Sequence, residues 1–177
     1  MKAALLIIDV QRGIFEADPP PADAAATIGR INQLAAVARG RAIPVVILQH
    51  EGEEPVTVHG SPSWELDPRL RAMPGDIRIR KTTPDSFLGT PLLELLRERG
   101  IEEVVVCGYA SEFCIDTTVR RAASLGFAVT IAGDAHTTNE RPAMSAAMIR
   151  AHHNEILPEI TSFGPRIRAV PAASIWT

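Results

Sequence analysis

The sequence predicts a three-layer α/β/α fold on a six-stranded, mostly parallel, Rossmann-like sheet. Three observations carry that expectation. The runs Ala3 to Ile8, Pro44 to Leu48 and Val104 to Cys107 are apolar without polar alternation, as in strands buried on both faces. Between the strand runs, apolar residues recur at three- to four-residue spacing, the period of a helix with one buried face. Glycine, proline and small polar residues stand at the junctions, where helices start and stop. Right-handed crossovers would then gather the strand carboxyl ends at one edge, where open sheets of this kind bind ligands.

Each element follows in order. Ala3 to Ile8 is a buried strand ending at Asp9, and Gln11 to Phe15 reads as a loop. Asp23 is placed to cap a helix with Ile28, Ile31, Leu34, Ala35 and Ala38 on its inner face and an end at Gly40. The second strand, Pro44 to Leu48, runs out at Gln49 and His50. Glu51 to Gly75 holds four prolines and reads as loop, with a helical turn near Leu66 to Ala72. Ile77 and Ile79 alternate with Arg78 and Arg80, so the third strand has one wet face or lies near an edge, and it stops at Lys81. Thr90 and Pro91 open a helix with Leu92, Leu93, Leu95 and Leu96 on its buried side, closed by Gly100. After the fourth strand and its helix come a fifth strand, Phe127 to Ala132, and the loop Gly133 to Thr138. A helix from Pro142 follows, with Ala143, Met144, Ala147, Met148 and Ala151 on one face, and Arg166 to Val170 is a short edge strand.

Composition narrows the function classes. The chain of 177 residues fits one domain, 1–177, large enough to bury roughly 70% of its unfolded surface without staples. Hydrophobic residues make up 46%, charged residues 22%, and the net charge is −3 with scattered basic positions. That argues against a nucleic-acid partner. The apolar run before Asp9 is too short for a signal-peptide core or a bilayer span, so neither a membrane nor secretion is expected. The two cysteines form no disulfide framework and point to a reducing, cytoplasmic compartment.

The most informative stretch is Glu103 to Gly126, a buried strand, a break at Gly108 and a helical pattern in Ile115, Val119, Ala122 and Ala123. With Ser111 as the helix cap, Cys114 falls on the first turn. There the positive end of the helix dipole favours thiolate, and free backbone N–H groups face developing negative charge. A buried, inert thiol fits the stretch as well, and Cys107 in the strand reads as core. Strand arithmetic brings Asp9, Gln49 with His50, Lys81 and Tyr109 to Cys114 to one edge. A cysteine nucleophile needs a proton acceptor, for which Asp9 is suited, and a cation such as Lys81 to favour the charged forms. Position alone also permits a turn acid at 9 and, more readily, a solvated lysine at 81.

Three blocks in order sharpen this reading: Ala4 to Gln11; Arg80-Lys81 followed by Ser86 to Thr90; and Val106 to Cys114 with the trailing Gly133-Asp134-Ala135. In them the chain resembles the isochorismatase-like cysteine hydrolases, the superfamily of nicotinamidases and N-carbamoylsarcosine amidohydrolase. The resemblance implies the isochorismatase-like hydrolase fold, a triad of Asp9, Lys81 and Cys114, and a cis peptide at Tyr109–Ala110. That bond would aim the Ala110 N–H, with the Cys114 N–H, at an oxyanion. It further implies a metal-independent amidase that acts on a small amide or carbamoyl compound through an acyl group on Cys114, with no cofactor, in a dimer or tetramer. Phe15, Trp64, Phe87 and His50 are candidate pocket residues. Zinc-dependent members carry Asp-x-His after the second strand, whereas this chain has Gln49-His50-Glu51, which argues against a metal at His50 or His59. His136, His152 and His153 read as structural. A vinyl-ether hydrolase of the isochorismatase type, or a non-catalytic binding protein on the same fold, are the alternatives.

Overall fold

A computed structural model describes residues 1–177. Its six strands are β1 (Ala3–Ile8), β2 (Val45–His50), β3 (Ile77–Lys81), β4 (Glu103–Tyr109), β5 (Ala128–Thr137) and β6 (Ile167–Val170). They form one sheet in the order β3-β2-β1-β4-β5-β6, with every pairing parallel. The order reverses between β1 and β4, so the carboxyl ends of those two strands flank a natural crevice. The five inner-to-outer registers are continuous except between β4 and β5, where Val106 faces Ile131 and Gly108 faces His136. Gly108, at φ +120°, is required there. A Cβ on it would lie 2.1 Å from the Ile8 carbonyl oxygen, so close packing of β4 on β1 at the crevice admits no side chain.

The helices are α1 (Arg12–Phe15), α2 (Ala24–Gly40), α3 (Leu92–Glu98), α4 (Asp116–Ser124) and α5 (Ala146–Ile156). Alternate residues of β1 separate two cores. Leu6, Ile8, Val46 and Val106 pack with Leu92 and Leu96 of α3 and Val119 and Ala122 of α4. Leu5, Ile7, Ile47 and Cys107 pack with Ile28, Ile31, Leu34 and Ala38 of α2 on the other side. The burial of β1 on both faces explains its lack of polar alternation. No helix is long and apolar enough to cross a membrane.

Several local expectations are corrected. Residues 12–15 form α1 in place of a loop. The turn at Pro68–Leu70, closed by Leu70 N–H on Asp67 O at 2.9 Å, is not helical. Strand β5 runs on through Thr137 because His136 and Thr137 rejoin β4 after the register shift. Asp23 precedes α2 in the left-handed region and makes no side-chain cap; its carboxylate meets Arg150 at 3.3 Å. Helix α5 differs in phase. It starts at Ser145, whose hydroxyl accepts from Met148 N–H, and it buries Ala146 and Ile149. The face read as apolar from Ala143 to Ala151 is exposed, with Met148 at 59%. The period was right and the phase was not, because alanine and methionine are tolerated on either side of a helix.

Candidate active site

Asp9 follows β1 with φ +55°, in the left-handed region that aspartate tolerates better than most residues. Its N–H still continues the sheet, donating to Leu48 O at 2.9 Å. Lys81 closes β3, opposite His50 of β2 in register. Its side chain is fully buried and crosses to Asp9 Oδ2, at 2.8 Å. The ammonium also lies 3.3 Å from Cys114 Sγ, 3.3 Å from His50 Nδ1 and 3.2 Å from Thr83 O. Carboxylate, ammonium and sulfur, far apart in sequence, thus meet at the crevice. The other carboxylate oxygen, Asp9 Oδ1, is buried without any hydrogen-bond partner. Buried polar atoms are rarely left so, and at a reactive centre such an atom is a ready proton acceptor.

Cys114 arrives by a different turn from the one expected. Ser111–Ile115 is a single π-turn that leads into α4, and Ser111 does not cap it. The Ser111 hydroxyl is 2.8 Å from His136 Nδ1 instead, because the wider turn carries it away from the free N–H groups. Phe113 and Ile115 N–H both donate to Ala110 O, each at 3.1 Å. The Tyr109–Ala110 peptide is cis, and the Ala110 N–H has no acceptor within the protein.

The electrostatics also revise an expectation. Burial, then the neighbouring Asp9 carboxylate, push the Cys114 thiol up to about 12, against the opposing pull of Lys81. At rest the sulfur is therefore a thiol and not a dipole-stabilised thiolate. Burial alone raises Cys107 still further, in keeping with a core thiol. Burial pulls Lys81 down, but the Asp9 carboxylate leads the groups that outweigh it and hold the ammonium charged. Burial and Lys81 lower His50.

The four candidate pocket residues scatter. His50 joins the cluster. Trp64 sits at its flank, where Gln11 and Gln49 side-chain amides both donate to its carbonyl oxygen, at 3.0 and 3.1 Å. With Gln49, Glu51, Arg80, Lys81 and Gly89 it lines a cleft of about 560 Å³ along β3. Phe15 is buried and edge-on to Tyr109, with ring centres 6.0 Å apart. Phe87 is corrected to a core residue: it is buried and stacked on Phe127 at 6.1 Å, since Ser86, bonded to Thr118 at 2.8 Å, turns that segment inward. His59 bonds Arg80 at 3.0 Å, away from the cluster. The one set of three metal-capable donors is Asp9, His50 and Cys114, within 4.8 Å of one another. The Lys81 ammonium already contacts all three, so these donors surround a fixed organic cation. Sequence reasoning gave Gln11 and Thr83 no role. A polar residue three places past a buried strand is the available signal for Gln11.

A doubly wound α/β protein with an acid, an ammonium and a thiol converging at the switch point is the class that fold and site define. The sequence matches the isochorismatase domain over residues 3–158, and the chain belongs to the isochorismatase family. It is 34% identical over 179 residues to a streptothricin hydrolase of Streptomyces noursei, covering 97% of this chain and 71% of that one. A second streptothricin hydrolase from that organism is spanned over 64% of its length. A ureidoacrylate amidohydrolase of Pseudomonas syringae pv. syringae is 27% identical over 186 residues, covering 83% of this chain and 76% of that one. Among solved structures, an isochorismatase family protein superposes with a TM-score of 0.84 at 33% identity, covering 96% of this chain and 98% of the other.

Proposed function

We propose that this chain is a cysteine hydrolase that cleaves a C–N bond of a small amide or carbamoyl compound through an acyl group carried on Cys114. The observation that carries the reading is the divided Asp9 carboxylate: Oδ2 is held by Lys81, Oδ1 is buried and unpartnered, and the carboxylate lies within 4.8 Å of the Cys114 sulfur. A base so arranged is oriented yet unsaturated. Membership of a family with hydrolases of a ureido compound and of streptothricin supports the substrate class.

The steps balance without any group from outside the chain except substrate and water. As Cys114 Sγ bonds to the carbonyl carbon, its proton passes to Asp9 Oδ1. The carbonyl oxygen takes the negative charge against the Ala110 and Cys114 N–H groups. Each such donor typically contributes about 100- to 1,000-fold in rate. The C–N bond breaks and the leaving nitrogen takes the proton from Asp9. Water then gives a proton to Asp9 as its oxygen attacks the thioester. The C–S bond breaks, and sulfur recovers the proton. Lys81 stays charged throughout and steadies whichever of its partners is anionic.

Intact-protein mass spectrometry during incubation with streptothricin, ureidoacrylate and simple primary amides tests this. The expected result is a transient mass increase equal to the acyl group, mapped to Cys114. Turnover of a substrate by the Cys114→Ala protein at the native rate would overturn it.

A further inference from the structure

The Lys81 ammonium has three protons and faces four acceptors: Asp9 Oδ2, Thr83 O, His50 Nδ1 and Cys114 Sγ, at 2.8 to 3.3 Å. An ammonium has no lone pair, so whichever three contacts its protons serve, a ring N–H aimed at it would meet only another donor. For His50 this decides the tautomer. Nδ1 must be bare, and the ring proton must sit on Nε2. The backbone fixes the ring's origin. Gln11 Oε1 accepts from the His50 N–H at 2.8 Å, and Gln11 Nε2 donates to its carbonyl at 3.0 Å. The ring is half-buried, and Nε2 has no partner in the protein yet is not enclosed by it. Its N–H is therefore open to solvent, on a ring that lies with Asp9 and Cys114.

We propose that His50 is a positioning residue for Lys81 and, through the proton this contact forces onto Nε2, a neutral hydrogen-bond donor for a carbonyl or carboxylate oxygen of the substrate. The inference rests on the hydrolase reading above and deepens it by assigning a substrate feature. A protonated ring would set two cations 3.3 Å apart, and burial disfavours that charge as well. A bare Nε2 would leave Lys81 facing a proton on Nδ1. Only the neutral Nε2–H form satisfies both sides. The outer edge of the ring then offers a donor and no acceptor, so an oxygen acceptor is welcomed by it while an ammonium or guanidinium meets an N–H there.

Nitrogen-15 NMR of the full chain labelled in its histidine rings tests this without any turnover, so it fails separately from the hydrolase reading. The His50 signals are assigned by their loss in His50→Gln. At neutral pH the native spectrum should show one tautomer, with Nδ1 bare and Nε2 protonated. Lys81→Met should shift the His50 signals toward a mixture of tautomers. Acetamide, an uncharged carbonyl acceptor, should move the Nε2–H resonance, while tetramethylammonium, which has no acceptor, should leave it in place. A proton on Nδ1 in the native chain overturns the lock, as does an unchanged tautomer in a folded Lys81→Met protein. No movement with acetamide, or equal movement with tetramethylammonium, overturns the donor role.

Discussion

Two buried polar clusters flank the turn that carries Cys114, and they differ in one respect. Around Lys81, charged groups meet and Asp9 Oδ1 is left without a partner. Around His136, neutral groups meet and nothing is left over. Ser111 Oγ is 2.8 Å from Nδ1, Asn154 Oδ1 is 3.0 Å from Nε2, and Asn154 Nδ2 donates to Gly133 O at 2.8 Å. Because the Asn154 amide nitrogen is committed to Gly133, its oxygen must accept from Nε2–H, and Ser111 must donate to Nδ1. The chain Ser-His-Asn has the composition of a hydrolytic relay but no freedom to act as one. It ties β5 and α5 to the π-turn. A saturated cluster can only hold, whereas one with a spare lone pair next to a thiol can move a proton.

The largest expected effect separates the clusters outright. Cys114→Ala should lower turnover at least about 10,000-fold and leave stability within about 1 kcal/mol, as expected for a half-buried side chain. Turnover and thermal melts measure the two; a large loss of stability would move Cys114 to the holding side. Asp9→Asn should cut turnover by about 100- to 10,000-fold and yet speed alkylation of Cys114 by iodoacetamide at neutral pH. The sign follows from the site: burial and then the Asp9 charge raise the thiol while Lys81 lowers it, so removing the carboxylate leaves burial opposed by the cation and brings the thiol down. Slower labelling in that variant would mean that Asp9 does not face the sulfur as a charge. Lys81→Met should do the reverse, slowing alkylation. It should also cost about 3 to 5 kcal/mol in denaturant melts, because a buried carboxylate loses its partner.

What sequence made legible in these clusters divides along the same line. The strand carboxyl ends follow from unbroken apolar runs and parallel crossovers, so the meeting of residues 9, 81 and 114 at one edge was accessible from strand arithmetic. The depth of Lys81 was not. An alternating strand such as Ile77-Arg78-Ile79-Arg80 reads as half-wet, and only the sheet order reveals that the last side chain of that edge strand folds inward over β2. The protonation state of Cys114 was misjudged because a helix-dipole argument sees only the turn, while burial and Asp9 come from elsewhere in the fold. The His136 cluster was invisible as a unit. Ser111 looked like a cap, and its true partners are 25 residues away and beyond. The α5 phase escapes for a related reason: Ile149, between Met148 and Arg150, decides the buried face more strongly than the longer row of alanines and methionines.

The smallest effect tests the holding cluster through pH. Burial lowers His136 to about 4 in the folded chain, from an ordinary value of 6.5, with Arg150 and His153 adding to the lowering and Asn154 and Asp134 opposing it. Between those two values the unfolded chain binds the proton and the folded chain does not, so stability rises with pH across the window and falls as acid is added. The loss should begin below about 6.5 and reach about 3 kcal/mol near the folded value. His50, lowered in the same direction, adds to it. His136→Gln keeps an oxygen to accept from Ser111 and an N–H group to offer Asn154, but it cannot titrate. Its stability, measured by denaturant melts across the same window, should therefore decline less steeply than that of the native chain. Parallel declines would show that the proton goes elsewhere and that the neutral cluster does not set the acid limit of the fold.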